Sequence, residues 1–411
     1  MTQTVDLATY GPRFTADPHP VYAELRERGP VHHVRLPGRA DGTGGVLPGQ
    51  EVWLVVGYEE GRAALADPRL TKSPTSVGAT FLDEEVIGPY LLSTDAPRHT
   101  RLRKLVAREF TGRRAEALRP RVQQITDDLL DAMLPLGRAD LVESLAFPLP
   151  MTVICELLGV PDIDRTAFRK LSNEAVAPTS DAAEREAIVE LAGYLDDLIA
   201  DKLIADKLIA DKRSAQPRDD LLGALIRTRT EDGDRLSAEE LRAMAYLLLI
   251  AGHETTVNLI SNAVRALLAH PSQLAELRTD PTLLDGAIEE TLRYEGPVEN
   301  ATFRFTTSPT ELGGTLIPAY EAVVIGLAAA DRDPGRFPEP DRFDIHRTPQ
   351  GHVAFGHGMH YCLGAPLARI EAQAALASLL DRCPGLAADG PSDDWLPGML
   401  IRGVRRLPVR W

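Results

Sequence analysis

The ten residues FGHGMHYCLG (355–364) set a cysteine in a glycine-rich loop directly before a helical stretch. Gly356, Gly358 and Gly364 let the backbone turn tightly and approach a flat ligand or a sulfur atom. Pro366 suits the first turn of the helix that follows. Backbone N–H groups at a helix start favour a thiolate, so Cys362 suits an anionic ligand to a metal. Two other readings stand beside this one. A single cysteine is commonly a small core residue. His357, His360 and Cys362 could also hold zinc, but no fourth ligand follows at finger-like spacing.

Outward from this loop, the helix read at residues 365–382 follows it, and a loop rich in Pro and Gly precedes it. A strand-rich section covers residues 303–324. From about residue 97 to 292 nearly everything reads as helix, broken by Pro and Gly. At the start, residues 20–28 have helical spacing and residues 31–36 and 51–56 read as strands, joined by the loop GRADGTGGVLPG (38–49). No charged or Ser/Gly-rich linker divides the chain. One mainly α domain with a small β part is therefore expected over residues 1–411.

Composition narrows the function. With 45 Lys and Arg against 60 Asp and Glu, the net charge is −15, which argues against nucleic acid or an anionic membrane as partner. The apolar runs near 243–252 and 322–330 fall short of a bilayer span. The start MTQTVDLATYG lacks the basic and apolar segments of a signal peptide. Cys155, Cys362 and Cys383 make no disulfide framework, so a cytoplasmic location is expected.

Three further patterns stand out. The apolar stretch MAYLLLIAGHETTVNLI (244–260) contains Glu254 and Thr255 behind the small pair Ala251–Gly252. A buried acid needs a partner or a task; the alternative is a helix kinked at Gly252 with Thr255 bonded back to a carbonyl. Glu290 and Arg293 share one helix face, with Glu289 and Arg293 an alternative pair. Residues 98–121 hold nine Lys and Arg against Glu109 and Glu116. A basic run of this kind is commonly a solvated face, but it also suits the docking of an acidic partner.

Residues 198–212 are LIADK three times over. A pentad advances about 500° around an α-helix, so successive leucines point in different directions. Two surplus copies add roughly 15 Å of helix. A duplication at the end of a surface helix is the main reading, and a functional lid extension the other.

The loop at 355–364 resembles the heme-binding signature FGxGxHxCxG of the cytochrome P450 superfamily, with Phe355, Gly356, Gly358, His360, Cys362 and Gly364 at every fixed position. The resemblance implies the P450 fold and heme b (iron protoporphyrin IX), with Cys362 as its iron ligand. Phe355 would shield the sulfur, His360 would bond a propionate, and Gly364 completes the loop. AGHETT (251–256) resembles the family's oxygen-activation motif, which implies that Thr255 steadies dioxygen and Glu254 supplies protons. Glu290 and Arg293 match its ExxR pair, a structural network for which Arg342 is the expected third member. DAPRHTRLRKLVAREFT (95–111) resembles the family's C helix, implying that His99 and Arg103 grip a propionate, with Arg304 as a further contact. Residues 17–31, 316–324 and 337–347 also resemble the family.

Two positions depart from that pattern. Tyr320 stands where Gly is usual, and a different turn is expected, because Tyr takes φ > 0 only with strain. Asp331 stands where Asn is usual, with little consequence expected.

The resemblance implies a monooxygenase that hydroxylates or epoxidises an apolar small molecule with dioxygen and two electrons. No Rossmann or flavin fingerprint occurs, so a separate ferredoxin with its NAD(P)H-dependent reductase is the expected donor. The chain is most similar to actinobacterial hydroxylases of macrolide and polyketide antibiotic biosynthesis. Terpenoid, steroid or foreign substrates, a peroxide-driven peroxygenase, and a heme-thiolate sensor without turnover are the alternatives. Specificity is expected from residues 73–92, Leu247, Leu248, 298–302 and 398–402, and a moving lid from residues 164–212.

Overall fold

A computed structural model describes residues 4–37, 51–78, 81–160, 170–172, 174–175, 180–212, 220–228, 233–348 and 351–411. The loop read at 38–49 and the first part of the expected lid, 164–169, lie outside the described residues. Seven of the helices carry the architecture: α1 (Arg98–Val106), α2 (Gly112–Met133), α3 (Pro148–Leu158), α4 (Asp181–Lys212), α5 (Ala238–Ala269), α6 (Leu284–Glu295) and α7 (Ala365–Arg382).

The sequence sets the ends of α5. Ser237 accepts from the Glu240 amide, and the Glu240 carboxylate accepts from the Ser237 amide. This reciprocal cap satisfies two N–H groups that the helix cannot bond internally. Pro271 follows the far end and opens the next helix. Between these ends α5 packs against α3, α4, α6 and α7. Its length and composition would suffice for a bilayer span, yet most of its apolar stretch is buried within the protein. Leu130, Leu145 and Ile260 belong to the large helical core around it. Each such side chain contributes about 2 kcal/mol on burial.

Six strands form a mixed sheet: β1 (Val5–Asp6), β2 (Val31–Arg35), β3 (Glu51–Val55), β4 (Leu70–Thr71), β5 (Arg304–Thr306) and β6 (Ala322–Ile325), in the spatial order β1-β2-β3-β6-β5-β4. β2 and β3 run antiparallel with His33 opposite Trp53, and β3 pairs in parallel with β6, Trp53 opposite Val323. The sheet thus joins the first 71 residues to residues 304–325, which is why no domain boundary separates them. Apolar side chains cover both of its faces. The apolar run at 322–330 divides into β6 and a short helix, Leu327–Ala330.

α4 continues helical through Lys212, so the three pentads extend one helix. Leu198 and Ile199, in the first copy, are buried in the helical core.

The turn at Tyr320 corrects the expectation of a different conformation. Tyr320 keeps φ at 66°. Its N–H donates to the Thr306 carbonyl at 2.7 Å, and the Glu321 N–H donates to Thr306 Oγ1 at 3.0 Å. These bonds fix the turn, while the ring lies out in solvent.

Candidate active site

The cysteine loop is built by backbone geometry. Gly356 and Gly358 have φ of 72° and 74°, which favours glycine. A Cβ at Gly358 would also lie 3.0 Å from Ala66 Cα. The Cys362 amide donates to the Phe355 carbonyl at 3.0 Å, and Arg103 donates to the Tyr361 carbonyl at 2.6 Å. Sγ of Cys362 opens onto a large cavity. Burial among protein groups pushes the thiol up, while the Gly364 and Ala365 amides at the start of α7 and the Arg103 and Arg369 guanidinium groups favour the thiolate. Phe355 lies beside the loop under the Arg369 guanidinium, 4.5 Å from the ring centre.

A group of cations and imidazoles surrounds the same end of the cavity. His99 on α1 and His360 pack with ring centres 4.3 Å apart and planes tilted by 52°. His99 Nε2 and both ring nitrogens of His360 are buried without a hydrogen-bond partner. Buried polar groups in this condition need a further ligand. Arg304 in β5 is buried and donates to the Leu65 carbonyl at 3.3 Å. Lys72 is buried as well, donating to Thr302 Oγ1 and the Phe303 carbonyl at 2.6 Å each. Burial, followed by the charge of Lys72 and the neighbouring His99, holds His360 down to about 2. Burial brings Arg304 down to about 10 and lowers Lys72 well below the ordinary amine range. Among the described residues no carboxylate is hydrogen-bonded to the side chain of Lys72, Arg103 or Arg304. The donor set fits heme: one sulfur for its iron, and buried cations and imidazoles for its two carboxylates. Lys72 is the member that the sequence did not reveal, since it stands outside every motif.

The opposite wall is α5. Glu254 and Thr255 both line the cavity. Thr255 Oγ1 donates to the Ala251 carbonyl at 2.8 Å, the back-bonded geometry weighed above, and α5 runs on without a break. A Cβ at Gly252 would come within 3.1 Å of Ile154. The Glu254 carboxyl is nearly buried and faces His253.

Glu290 and Arg293 form a buried bidentate pair at 2.7 and 2.8 Å. Glu289 belongs elsewhere, to Arg369 and His352. Arg342 is a correction. Its side chain is exposed and pairs with Glu339; only its carbonyl accepts from Arg293. The second guanidinium on Glu290 is that of Arg347, at 3.2 Å. Arg293 also donates to the Asp331 carbonyl, and Asp331 Oδ1 accepts from the Val353 amide at 2.8 Å. Asp331 is buried, and burial raises its carboxyl to about 7.

The basic run is partly neutralised. Arg101 bonds Asp234 and Glu240, Arg121 bonds Glu156, and Arg119 bonds Glu116.

The cavity has a volume of about 1260 Å³. It extends from Cys362 past α5 to Phe81, Tyr90, Leu247, Ala301 and Met399, so each expected specificity segment reaches it. That volume exceeds a typical small-ligand pocket of about 300–1,000 Å³.

Residues 178–388 match the family model described as Cytochrome P450. The chain is 55% identical over 412 aligned residues to the cytochrome P450 monooxygenase PikC of Streptomyces venezuelae, covering 99% of this chain and 94% of that one. It is 43% identical to the 6-deoxyerythronolide B hydroxylase of Saccharopolyspora erythraea, covering 100% and 99% of the two chains. Among solved structures, the tirandamycin C-bound P450 monooxygenase TamI superposes with a TM-score of 0.87 at 43% identity, over 99% of each chain. Fold, cysteine loop and whole-length similarity agree: the chain belongs to the cytochrome P450 family of monooxygenases.

Proposed function

We propose that this monooxygenase hydroxylates or epoxidises a macrolide or polyketide, with heme b as cofactor. The observation that carries the reading is the single apolar cavity joining Cys362 and its cationic surround to the Glu254–Thr255 face of α5. Cys362 would hold the iron; His99, Arg103, Arg304 and His360 would hold the carboxylates. Phe355 covers the sulfur, and Gly364 leaves the space beside it open. Bound heme would supply reductive dioxygen activation and transfer of one oxygen atom to substrate.

The chain's own residues do the rest. Apolar side chains such as Leu247, Leu248 and Ile250 keep the cavity dry and orient an apolar ligand. Thr255 is a hydroxyl at the cavity wall that can leave the Ala251 carbonyl to bond a ligand, and Glu254 holds the proton that reaches it. The pair argues against a sensor, which needs no proton delivery. Electrons would come from a ferredoxin and its NAD(P)H-dependent reductase, docking on the basic residues near α1. The protein would work in the cytoplasm.

A ligand panel read by the heme absorption shift tests the substrate class. Macrolides or polyketides are expected to shift the absorption with the tightest binding; a shift only with terpenoids, steroids or foreign compounds overturns that class. Failure of every ligand to couple NAD(P)H consumption to product would favour the sensor. Full peroxide-driven activity in Glu254→Gln and Thr255→Ala would favour a peroxygenase.

A further inference from the structure

His253 precedes Glu254 on α5 and is completely buried. Its ring is held from three sides. Nδ1 faces the Leu249 carbonyl at 2.7 Å, the ring meets Phe147 edge-on at 6.0 Å, and Nε2 meets Ser172 Oγ. Nε2 also lies 3.2 Å from Glu254 Oε1. Adjacent side chains on a helix normally point about 100° apart and do not meet. Here both are turned so that they do.

The protons follow from the partners. A carbonyl only accepts, so Nδ1 carries a hydrogen. With Nδ1 protonated, a neutral ring presents a lone pair at Nε2. A carboxylate oxygen opposite it would present another, and the two would repel. Nε2 is hydrogen-bonded to Ser172 Oγ, and the 3.2 Å approach of Glu254 Oε1 is favourable when the pair carries one proton in all, either as acid beside imidazole or as carboxylate beside imidazolium. The Ser172 hydroxyl, able to donate and accept at once, touches the same nitrogen.

We propose that Ser172, His253 and Glu254 form a proton relay into the cavity, with His253 reloading Glu254. In each transfer the Nε2–H bond breaks and an Oε1–H bond forms. As the imidazole takes the Ser172 hydroxyl proton, that oxygen takes one from a hydronium ion, which is left as water. No electrons move. The inference rests on the reading of Glu254 as the proton donor of the cavity. His253 touches no substrate; it is a positioning residue that acts through Glu254.

The test uses the heme-loaded protein without substrate. Two readouts apply: the carboxylic-acid C=O infrared band assigned to Glu254 by its loss in Glu254→Gln, and the solvent isotope effect on decay of the reduced enzyme's absorbance after mixing with oxygenated buffer. In His253→Gln and His253→Phe the band is expected to shift, and the decay to slow about tenfold with a larger isotope effect. The reduced carbon-monoxide band of thiolate-ligated heme should stay. Wild-type band and kinetics in His253→Gln would overturn the relay, leaving His253 as a tie between α5 and residues 170–172. No change in Glu254→Gln itself would remove the underlying reading instead. Ser172→Ala is expected to slow the decay likewise, and keeps the relay testable where a His253 variant loses heme.

Discussion

The Nε of Arg347 lies 3.2 Å from Glu290 Oε1, inside a network that already holds Arg293. Glu290 is almost wholly buried and also accepts from the Asp344 amide at 2.9 Å. Removing one partner of such a charge leaves the remainder undercompensated. Arg347→Ala is expected to lower stability by about 3 kcal/mol and to reduce the yield of heme-loaded protein. Arg342→Ala, at an exposed pair, should change stability by less than about 0.5 kcal/mol. Denaturant titration of both variants checks the contrast; equal losses would sink it.

How far the sequence could be read depends on whether a signal is local. The bounds of α7 follow from Gly364, Pro366 and the end at Cys383, all within its own stretch. The cysteine loop is equally local, and so was legible. Arg342 and Arg347 stand five apart in an irregular segment without periodicity, so spacing could not choose between them. Lys72 meets Thr302 across 230 residues of sequence, and only the pairing of β4 with β5 brings them together. His253 was visible as a residue, but its contact with Ser172 across 81 positions was not.

Lys72 Nζ donates to three neutral oxygens and, among the described residues, to no carboxylate. An anionic group brought beside it would gain a charge-assisted interaction worth about 1.5 kcal/mol or more. Lys72→Met is therefore expected to raise the rate of heme transfer to a heme-free acceptor protein about tenfold. An unchanged transfer rate would limit Lys72 to bracing Thr302 and Phe303.

Asp331 gives a pH signature. Its carboxyl titrates near 7 when folded, because of burial, against about 3.9 when unfolded. The folded state holds this proton through an interval in which the unfolded chain has lost it. Stability from this group is therefore intact below about 4, falls as pH rises through 7, and stays low above. The full cost is on the order of 4 kcal/mol. Asp331→Asn retains an acceptor for the Val353 amide. The variant should gain melting temperature relative to the parent at pH 8 and show no such gain at pH 4. A difference independent of pH would contradict the assignment.

The pentad repeat predicts tolerance of deletion. Leu198 and Ile199 in the first copy are packed into the core, and the non-repeating residues of α4 precede them. Removing residues 203–212 shortens a helix by roughly 15 Å while leaving those contacts in place. Heme binding and the reduced carbon-monoxide spectrum are expected to survive. Recovery of only heme-free or aggregated protein would show that the added turns belong to the core.

Tyr320 holds a left-handed backbone at φ 66° with its side chain 67% exposed. A Cβ in that region crowds the neighbouring carbonyl, at a cost of about 1 kcal/mol for an ordinary residue. Glycine removes the crowding, but it also frees the unfolded chain, which offsets part of the gain. Little apolar burial is lost with the ring, since it lies mostly in solvent. Tyr320→Gly should therefore stabilise the protein by about 0.5 kcal/mol. Asn tolerates the left-handed region better than Tyr, and a β-branched residue tolerates it worst. The expected order of stability is Gly, Asn, Tyr, then Val, read from denaturant midpoints at constant slope. The bonds from the amides of residues 320 and 321 to Thr306 use backbone donors that all four proteins retain, so the order reports backbone strain, less the unfolded-chain freedom of glycine. A valine variant as stable as the parent would mean that the turn relaxes to negative φ without penalty.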